Sequence, residues 1–298
     1  MSFRIFEISA DSITGDEQLG SKPKFWFTRD SKLWLFKERR PNTGEDWAEK
    51  LASEIARHIE VQAAEVELAA YEGRMGCASK MFVEPGEDLL HGNEILAGQI
   101  TGYDRDKRMH HCEHTLSNIV SAVQRMLDDP AVSTQVLRIL ASYMVLDAVI
   151  CNTDRHHENW GFLMRYEERQ PGTFVKHLRV AQSFDHASSL GRELLDERRM
   201  QILQAQDGIQ RYALAGQGGI YLTETDRRGA NPLKLIELGV HQHPEYFRPV
   251  LQRLRHIALE PIMDVVDAVP PERISETARA FVRALLKYTH TALSGLAS

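Results

Sequence analysis

Eight consecutive residues, Asn152-Thr-Asp154-Arg155-His156-His157-Glu158-Asn159, constrain this chain more than any others. All are polar, yet the apolar run Tyr143 to Cys151 leads into them and the apolar Phe162-Leu163-Met164 follows. Polar groups held that close to a core are costly unless each finds a partner. The chain must therefore build a polar site on a sizeable core. Its 298 residues, 43% of them hydrophobic, suffice for that core and exclude a disordered polymer. They suggest about two domains, or two lobes of one.

Charge narrows the function classes. Lys+Arg number 36 against 42 Asp+Glu, a formal net charge of -6, which argues against a general nucleic-acid coat while leaving room for a local basic groove, and no direct nucleic-acid partner is expected. Three cysteines, Cys77, Cys112 and Cys151, form no CxxC pair, which argues against a disulfide scaffold and for a reducing, cytoplasmic setting. The first residues lack a secretory pattern. The apolar stretch Tyr143 to Cys151 is interrupted by Asp147 and is too short for a bilayer, so no membrane partner is expected.

Pattern and punctuation give a coarse element order. Lys24–Phe27 and Lys32–Lys37 read as aromatic-rich strands around the hairpin loop Thr28-Arg29-Asp30-Ser31, with a polar loop upstream from Gly15 to Gly20. Trp47, Leu51, Ile55 and Ile59 recur every four residues, which predicts an amphipathic helix over Glu45–His58. Short strands are expected at Ala64–Leu68 and Ala78–Val83, before the break at Pro85-Gly86. Beyond it the chain reads as mainly helical, at Leu116–Leu127, Val136–Cys151, Leu233–Val240, Phe247–Ala258 and Ile274–Leu296. Two short strands interrupt it, Phe162–Met164 and Leu178–Phe184, and Arg211–Arg228 reads as a flexible loop.

Three elements carry chemistry. Asp154 and Asn159 stand five apart, so one loop offers a carboxylate for a hydroxyl proton and an amide oxygen for a hard cation such as Mg²⁺. Asp185, in Ser183-Phe184-Asp185-His186, ends a predicted strand, where it could supply a second metal ligand. Lys37 ends the earlier strand and could reach nucleotide phosphates, with Glu49 or Glu54 on the next helix to orient it.

In this order the elements resemble a known family. Asp-Arg-His-x-x-Asn resembles the catalytic loop of phosphatidylinositol 3-/4-kinases, and the broader pattern resembles the HipA-like serine/threonine kinases. The family's Gly-x-x-x-Lys phosphate loop falls on Gly20-Ser21-Lys22-Pro23-Lys24, with Lys22 where the family has glutamine. Its helix glutamate, followed by alanine seven residues on, falls on Glu49 and Ala56, and its metal-binding aspartate, followed by serine, falls on Asp185 and Ser188. The resemblance implies an α+β, two-lobed protein-kinase-like fold, with a small β-rich lobe over 1–83 and a mainly helical lobe over 84–298. It implies ATP and Mg²⁺ as cofactors and transfer of the γ-phosphoryl group to a Ser or Thr hydroxyl of a protein substrate.

The roles follow by position. On the resemblance, Asp154 would be the base or hydroxyl-positioning carboxylate, Asn159 and Asp185 would hold the metal, Lys37 oriented by Glu49 would neutralise phosphate charge, and His156 would buttress the loop. Gly20, Ser21, Lys22 and Lys24 would cover the phosphates. The backbone at Phe82, Val83 and Glu84 would hold the adenine. Autophosphorylation of that loop, Ser21 first and Thr14 second, is implied as well, and so is an antitoxin-like or small-subunit protein partner. The family's full-length toxins carry an extra N-terminal subdomain, which the stretch ahead of Lys24 is too short to encode.

Other readings compete. The form of the catalytic loop also suits a small-molecule or lipid kinase. A nucleotide-binding pseudokinase acting as an interaction module keeps the same residues. A metal-dependent phosphohydrolase would use His156, His157, Asp185 and His186. Each motif residue alone also has a bland reading as a turn cap or solvated charge. His110-His111-Cys112-Glu113-His114 has metal-ligand chemistry but no second cluster, and reads as a solvated turn or helix start. Trp160 reads as packing, and Arg279 with Arg283 as a solvated helix face.

Overall fold

A computed structural model describes residues 2–16, 24–107 and 111–297. The first strands are β1 (Ile5–Glu7), β2 (Ile13–Asp16), β3 (Lys24–Arg29) and β4 (Lys32–Glu38). Helix α1 (Glu45–His58) follows, then β5 (Val66–Tyr71) and β6 (Arg74–Lys80). These strands form one six-stranded sheet in the order β1-β5-β6-β4-β3-β2, with β1 parallel to β5 and the other pairs antiparallel.

Alternation on β3 and β4 decides where Lys37 points. Phe25 pairs with Phe36 and Phe27 with Trp34 across the hairpin. These four aromatics pack with Phe6 and Ile8 into a core on one face of the sheet. Successive side chains of a strand point to opposite faces, so Lys37 faces away from that core, beside Cys77 of β6. The face Lys37 joins is the one α1 covers.

Helix α1 is less amphipathic than its four-residue spacing predicts. Glu45, Asp46, Glu49 and Lys50 are buried along with Trp47, Leu51 and Ile55. The cause is cover on more than one side: β5 and β6 pack on one flank and a C-terminal helix on another. Three of the four buried charges are ion-paired. Lys50 bonds Glu54 at 2.7 Å and Glu67 at 3.0 Å, and Asp46 accepts from Arg273 at 2.8 Å.

The remaining chain forms β7 (Glu87–His91), α2 (Gly92–Gln99), α3 (Leu116–Met126), α4 (Pro130–Ile150), β8 (Gly161–Gln170) and β9 (Thr173–Val180). The helices α5 (Asp196–Gln204), α6 (Gly208–Ala215), α7 (Pro232–Gln242), α8 (Pro244–His256), α9 (Glu260–Asp267) and α10 (Glu276–Gly295) complete it. Strands β7, β8 and β9 make a separate three-stranded sheet. Helix α4 is long and apolar enough to cross a membrane, but it is the central core helix, packed by α7, α8 and α10.

Several expectations change. Gly15, expected in a loop, lies in β2, where pairing with β3 makes a strand of a sequence with little apolar pattern. Strand β6 ends at Lys80, so Met81 to Val83 is connecting chain. Strand β9 ends at Val180, so Asp185 does not end a strand. Its segment instead makes a single parallel bridge, Ser183 to Ala63. The start of the Arg211–Arg228 segment is helical, in α6. Arg279 does not face solvent: its guanidinium donates to Val266 O and Val269 O and caps the end of α9.

Candidate active site

The polar octapeptide is set by how α4 ends. Cys151 takes a left-handed conformation (φ 52°), and its N–H and that of Asn152 both return to Asp147 O. Asn152 then bridges: its Nδ2 donates to Asp147 Oδ1 at 2.7 Å and its Oδ1 accepts from Asp154 N at 3.1 Å. Arg155 turns inward. It makes a bidentate pair with Asp147, at 2.7 and 2.8 Å, and donates to Asn159 O and to Ser183 Oγ (2.9 Å). One buried guanidinium thus ties the octapeptide to the end of α4 and to the segment carrying Asp185.

Asp154 is exposed at the mouth of a cleft, and Ser188 Oγ approaches its carboxylate at 3.5 Å. Partial desolvation, then the Asp185 charge, push the Asp154 carboxyl above its ordinary range, against the pull of His156. Asn159 is buried, and its Nδ2 donates to Asp154 O at 2.7 Å. Its Oδ1 is left without a hydrogen-bond partner among the described residues. Asp185 adopts φ 60°, rare for a residue with a side chain, and this conformation holds its carboxylate 3.0 Å from Lys37 Nζ. Burial alone would lower the Lys37 ammonium. The Asp185 and Glu49 charges outweigh it, and the group sits well above its ordinary range. Lys37 therefore stays charged.

Glu49 is close to Lys37 electrostatically but forms no direct ion pair with it. Its Oε1 accepts from His186 N at 3.0 Å, and its Oε2 is buried without a partner. Burial raises the Glu49 carboxyl, and the Lys37 charge opposes that shift. The expected pairing of Lys37 with Glu49 is thus replaced by one with Asp185. The reason is reach: Glu49 is drawn to the backbone N–H groups at His186 and Ala187. Glu54, the other candidate, pairs with Lys50 and Arg57 and takes no part.

The remaining expected residues fall as follows. Gly20, Ser21 and Lys22 lie outside the described residues. Lys24 starts β3 directly across from Lys37. His156 is half-buried, and its Nδ1 accepts from Glu158 N at 3.2 Å, a local brace of the turn. Phe82 packs on Phe184, ring centroids 5.5 Å apart. Glu84 does not offer its N–H to a ligand: the group donates to the Glu87 carboxylate at 3.0 Å, and Glu84 O accepts from Glu87 N. The backbone of Val83 is uncommitted among the described residues. Sequence reasoning missed Arg155, Asp147 and Ser183 as the frame of the site. One signal was present: Asp147 is a carboxylate inside an apolar helix, and a buried charge demands a partner.

The histidines beside the octapeptide are not solvated as expected. His111 and His114 are buried, as is His157. His114 Nδ1 donates to Gly219 O at 2.8 Å and Nε2 accepts from the Trp160 indole N–H at 3.1 Å, so its neutral form is satisfied at both nitrogens. Burial pushes His114 down to about 3 and His157 down to about 4. The unfolded chain binds protons at these sites below about pH 6.5 and the folded chain does not. Their stabilisation is therefore complete above that pH and is lost as pH falls toward 4. Thermal melts are expected to drop progressively below pH 6, by up to about 1.4 kcal/mol per pH unit for each histidine. His114→Gln should flatten that slope; an unchanged slope would contradict the assignment.

The sequence matches the HipA-like C-terminal domain family over residues 18–230. The chain belongs to that family. Among solved structures it is similar to the Helicobacter pylori proinflammatory kinase CtkA, with a TM-score of 0.81, 18% identity, and coverage of 98% of each chain. It is also similar to Shewanella oneidensis MR-1 HipA, solved with HipB and operator DNA, with a TM-score of 0.53 and 13% identity. That match covers 95% of this chain and 65% of that one. No curated protein matches the sequence. The fold of this HipA-like chain is therefore α+β and two-lobed, of the protein-kinase type, with a β-rich N-terminal sheet and a helical C-terminal part.

Proposed function

We propose that this HipA-like chain is an ATP- and Mg²⁺-dependent kinase that phosphorylates Ser or Thr of a protein substrate. The observation that carries the reading is the convergence of Lys37, Asp185 and the pair Asp154 and Asn159, from three separate stretches of sequence, on one place. The donor set suits a hard dication: two mutually repelling carboxylates and an uncommitted amide oxygen. Asn159 Oδ1 and Asp185 would hold Mg²⁺, which neutralises phosphate charge when bound. Lys37, released in part from Asp185, pairs with phosphate oxygens.

Asp154 receives the proton of the acceptor hydroxyl. The new O–P bond forms as the bond from the γ-phosphorus to the bridging oxygen breaks, and ADP leaves with that electron pair. The chain supplies position and charge, which is most of what a loose transition state requires.

The finer assignments belong to the same reading. Residues 1–83 form the nucleotide lobe and 84–298 the acceptor lobe, with the adenine held at Phe82–Glu84 through the Val83 backbone. The Asp-Arg-His-x-x-Asn form marks a catalytic core of the phosphatidylinositol-kinase type. Ser21 is the site of autophosphorylation, the setting is cytoplasmic, and an antitoxin-like protein is the natural partner, as HipB is for the Shewanella HipA structure. Incubation with γ-labelled ATP, Mg²⁺ and a protein mixture, followed by phosphoamino-acid analysis, tests the central part. Label on serine or threonine is expected. Label confined to lipid or to small molecules would overturn the assignment.

A further inference from the structure

A cavity opens beside Asp154. It has a volume of about 410 Å³ and its wall includes Asp154 and His156 together with Gly218, Gly219, Arg227 and Arg228. Lys37, Asn159 and Asp185 are absent from that wall. Asp154 is thus the proposed proton acceptor that this cavity reaches, and on the kinase reading the cavity is where an acceptor hydroxyl would approach it.

The cavity is a built feature. Gly218 N donates to Ala230 O and Ala230 N to Ile220 O, both at 2.7 Å, and Tyr221 N donates to His114 O at 2.9 Å. These bonds pin the base of the loop that carries the two arginines. Gly219 lies against the octapeptide, so close that a Cβ there would come within 2.7 Å of His156 N. The loop tip is folded on itself, with Thr223 N donating to Asp226 Oδ2 at 2.8 Å.

Apart from Asp154 itself, the charged residues of the wall are Arg227 and Arg228. Arg227 and Arg228 are exposed, and neither guanidinium has a hydrogen bond or ion pair among the described residues. Nearby carboxylates are engaged elsewhere: Asp226 by Thr223 N and Glu224 by Asn118. His114 and His157 are held neutral and add no charge. Two unpaired planar cations beside the acceptor side of Asp154 suit a carboxylate a few residues from the target hydroxyl.

We propose that Arg227 and Arg228 form an acceptor subsite selecting protein segments with Asp or Glu close to the phosphorylated Ser or Thr. The inference rests on the kinase reading for the side of approach, but binding tests it separately. Four fluorescent peptides share a central serine and differ in flanks: Asp/Glu, Ala, Lys, or phosphoserine. Their affinities for the full chain are read by anisotropy.

The acidic peptide is expected to bind at least tenfold more tightly than the lysine peptide. Arg227→Ala with Arg228→Ala should weaken the acidic peptide about tenfold to a hundredfold. Arg227→Glu with Arg228→Glu should reverse the preference, a gain that misfolding cannot produce. Equal affinities across the set, or binding of the phosphoserine form alone, would overturn the proposal. Transfer to all peptides regardless of charge would also overturn it, with the kinase reading left standing. Selective acidic binding without transfer would support the subsite and count against the kinase reading.

Discussion

Asp154→Asn is expected to slow phosphoryl transfer by about 10²- to 10⁴-fold, the usual contribution of a positioned proton acceptor. The amide keeps the size of the carboxylate but cannot take the hydroxyl proton. The fold should be unaffected, because the Asp154 backbone, not its carboxylate, holds the loop: its N–H bonds Asn152 and its C=O accepts from Asn159 and His156. ATP affinity should change little, since Lys37 and Asp185 lie on the other side of the cleft. Loss of one nearby negative charge should weaken Mg²⁺ binding at Asp185 only slightly, because Asn159 and Asp185 remain. Single-turnover transfer alongside calorimetric titration with Mg²⁺-ATP separates these effects. A variant that transfers at the wild-type rate would remove Asp154 from the reaction.

Arg155→Met has a different expected signature, a loss of stability of about 3–5 kcal/mol. The substitution leaves Asp147 buried with one remaining side-chain donor, Asn152 Nδ2. It also removes the donors to Asn159 O and Ser183 Oγ. In a chain of this size the melting temperature should fall by roughly 10 °C. Adding Asp147→Leu removes the stranded carboxylate and should recover much of the stability, because well-packed apolar groups often replace a buried ion pair without loss. Transfer should not recover, since the tie between the octapeptide and the Asp185 segment is gone. A double variant that regains both would show that Arg155 serves the core alone. A single variant as stable as wild type would contradict the buried pair itself.

How much of this was legible in the sequence differs residue by residue. The octapeptide, with Asp154 and Asn159, was legible because polar groups beside a core need a reason. Lys37 was legible because alternation on an aromatic strand puts it on the face away from Phe36. Asp185 was found by order along the chain, yet its setting was misread: a left-handed residue beyond the strand cannot be told from a strand end by composition. Glu49 was placed on the right helix and its charge acts on Lys37, but its backbone partners at His186 and Ala187 are distant in sequence and were not legible. His111 and His114 looked solvated because clustered histidines carry no periodic signal, and only tertiary packing buries them. The three-stranded sheet β7-β8-β9 was partly missed for the same reason, since β7 exists only through its pairing with β8.

The central claim is that Lys37, Asn159, Asp185 and Asp154 make one phosphoryl-transfer site. A crystal structure with Mg²⁺ and a non-hydrolysable ATP analogue tests it most directly. Mg²⁺ should be ligated by Asn159 Oδ1 and an Asp185 oxygen, with Lys37 Nζ on a phosphate oxygen. The γ-phosphate should face Asp154, with the cavity of Arg227 and Arg228 open beyond it. A nucleotide bound elsewhere, or a metal held by His156, His157 and His186, would contradict the account.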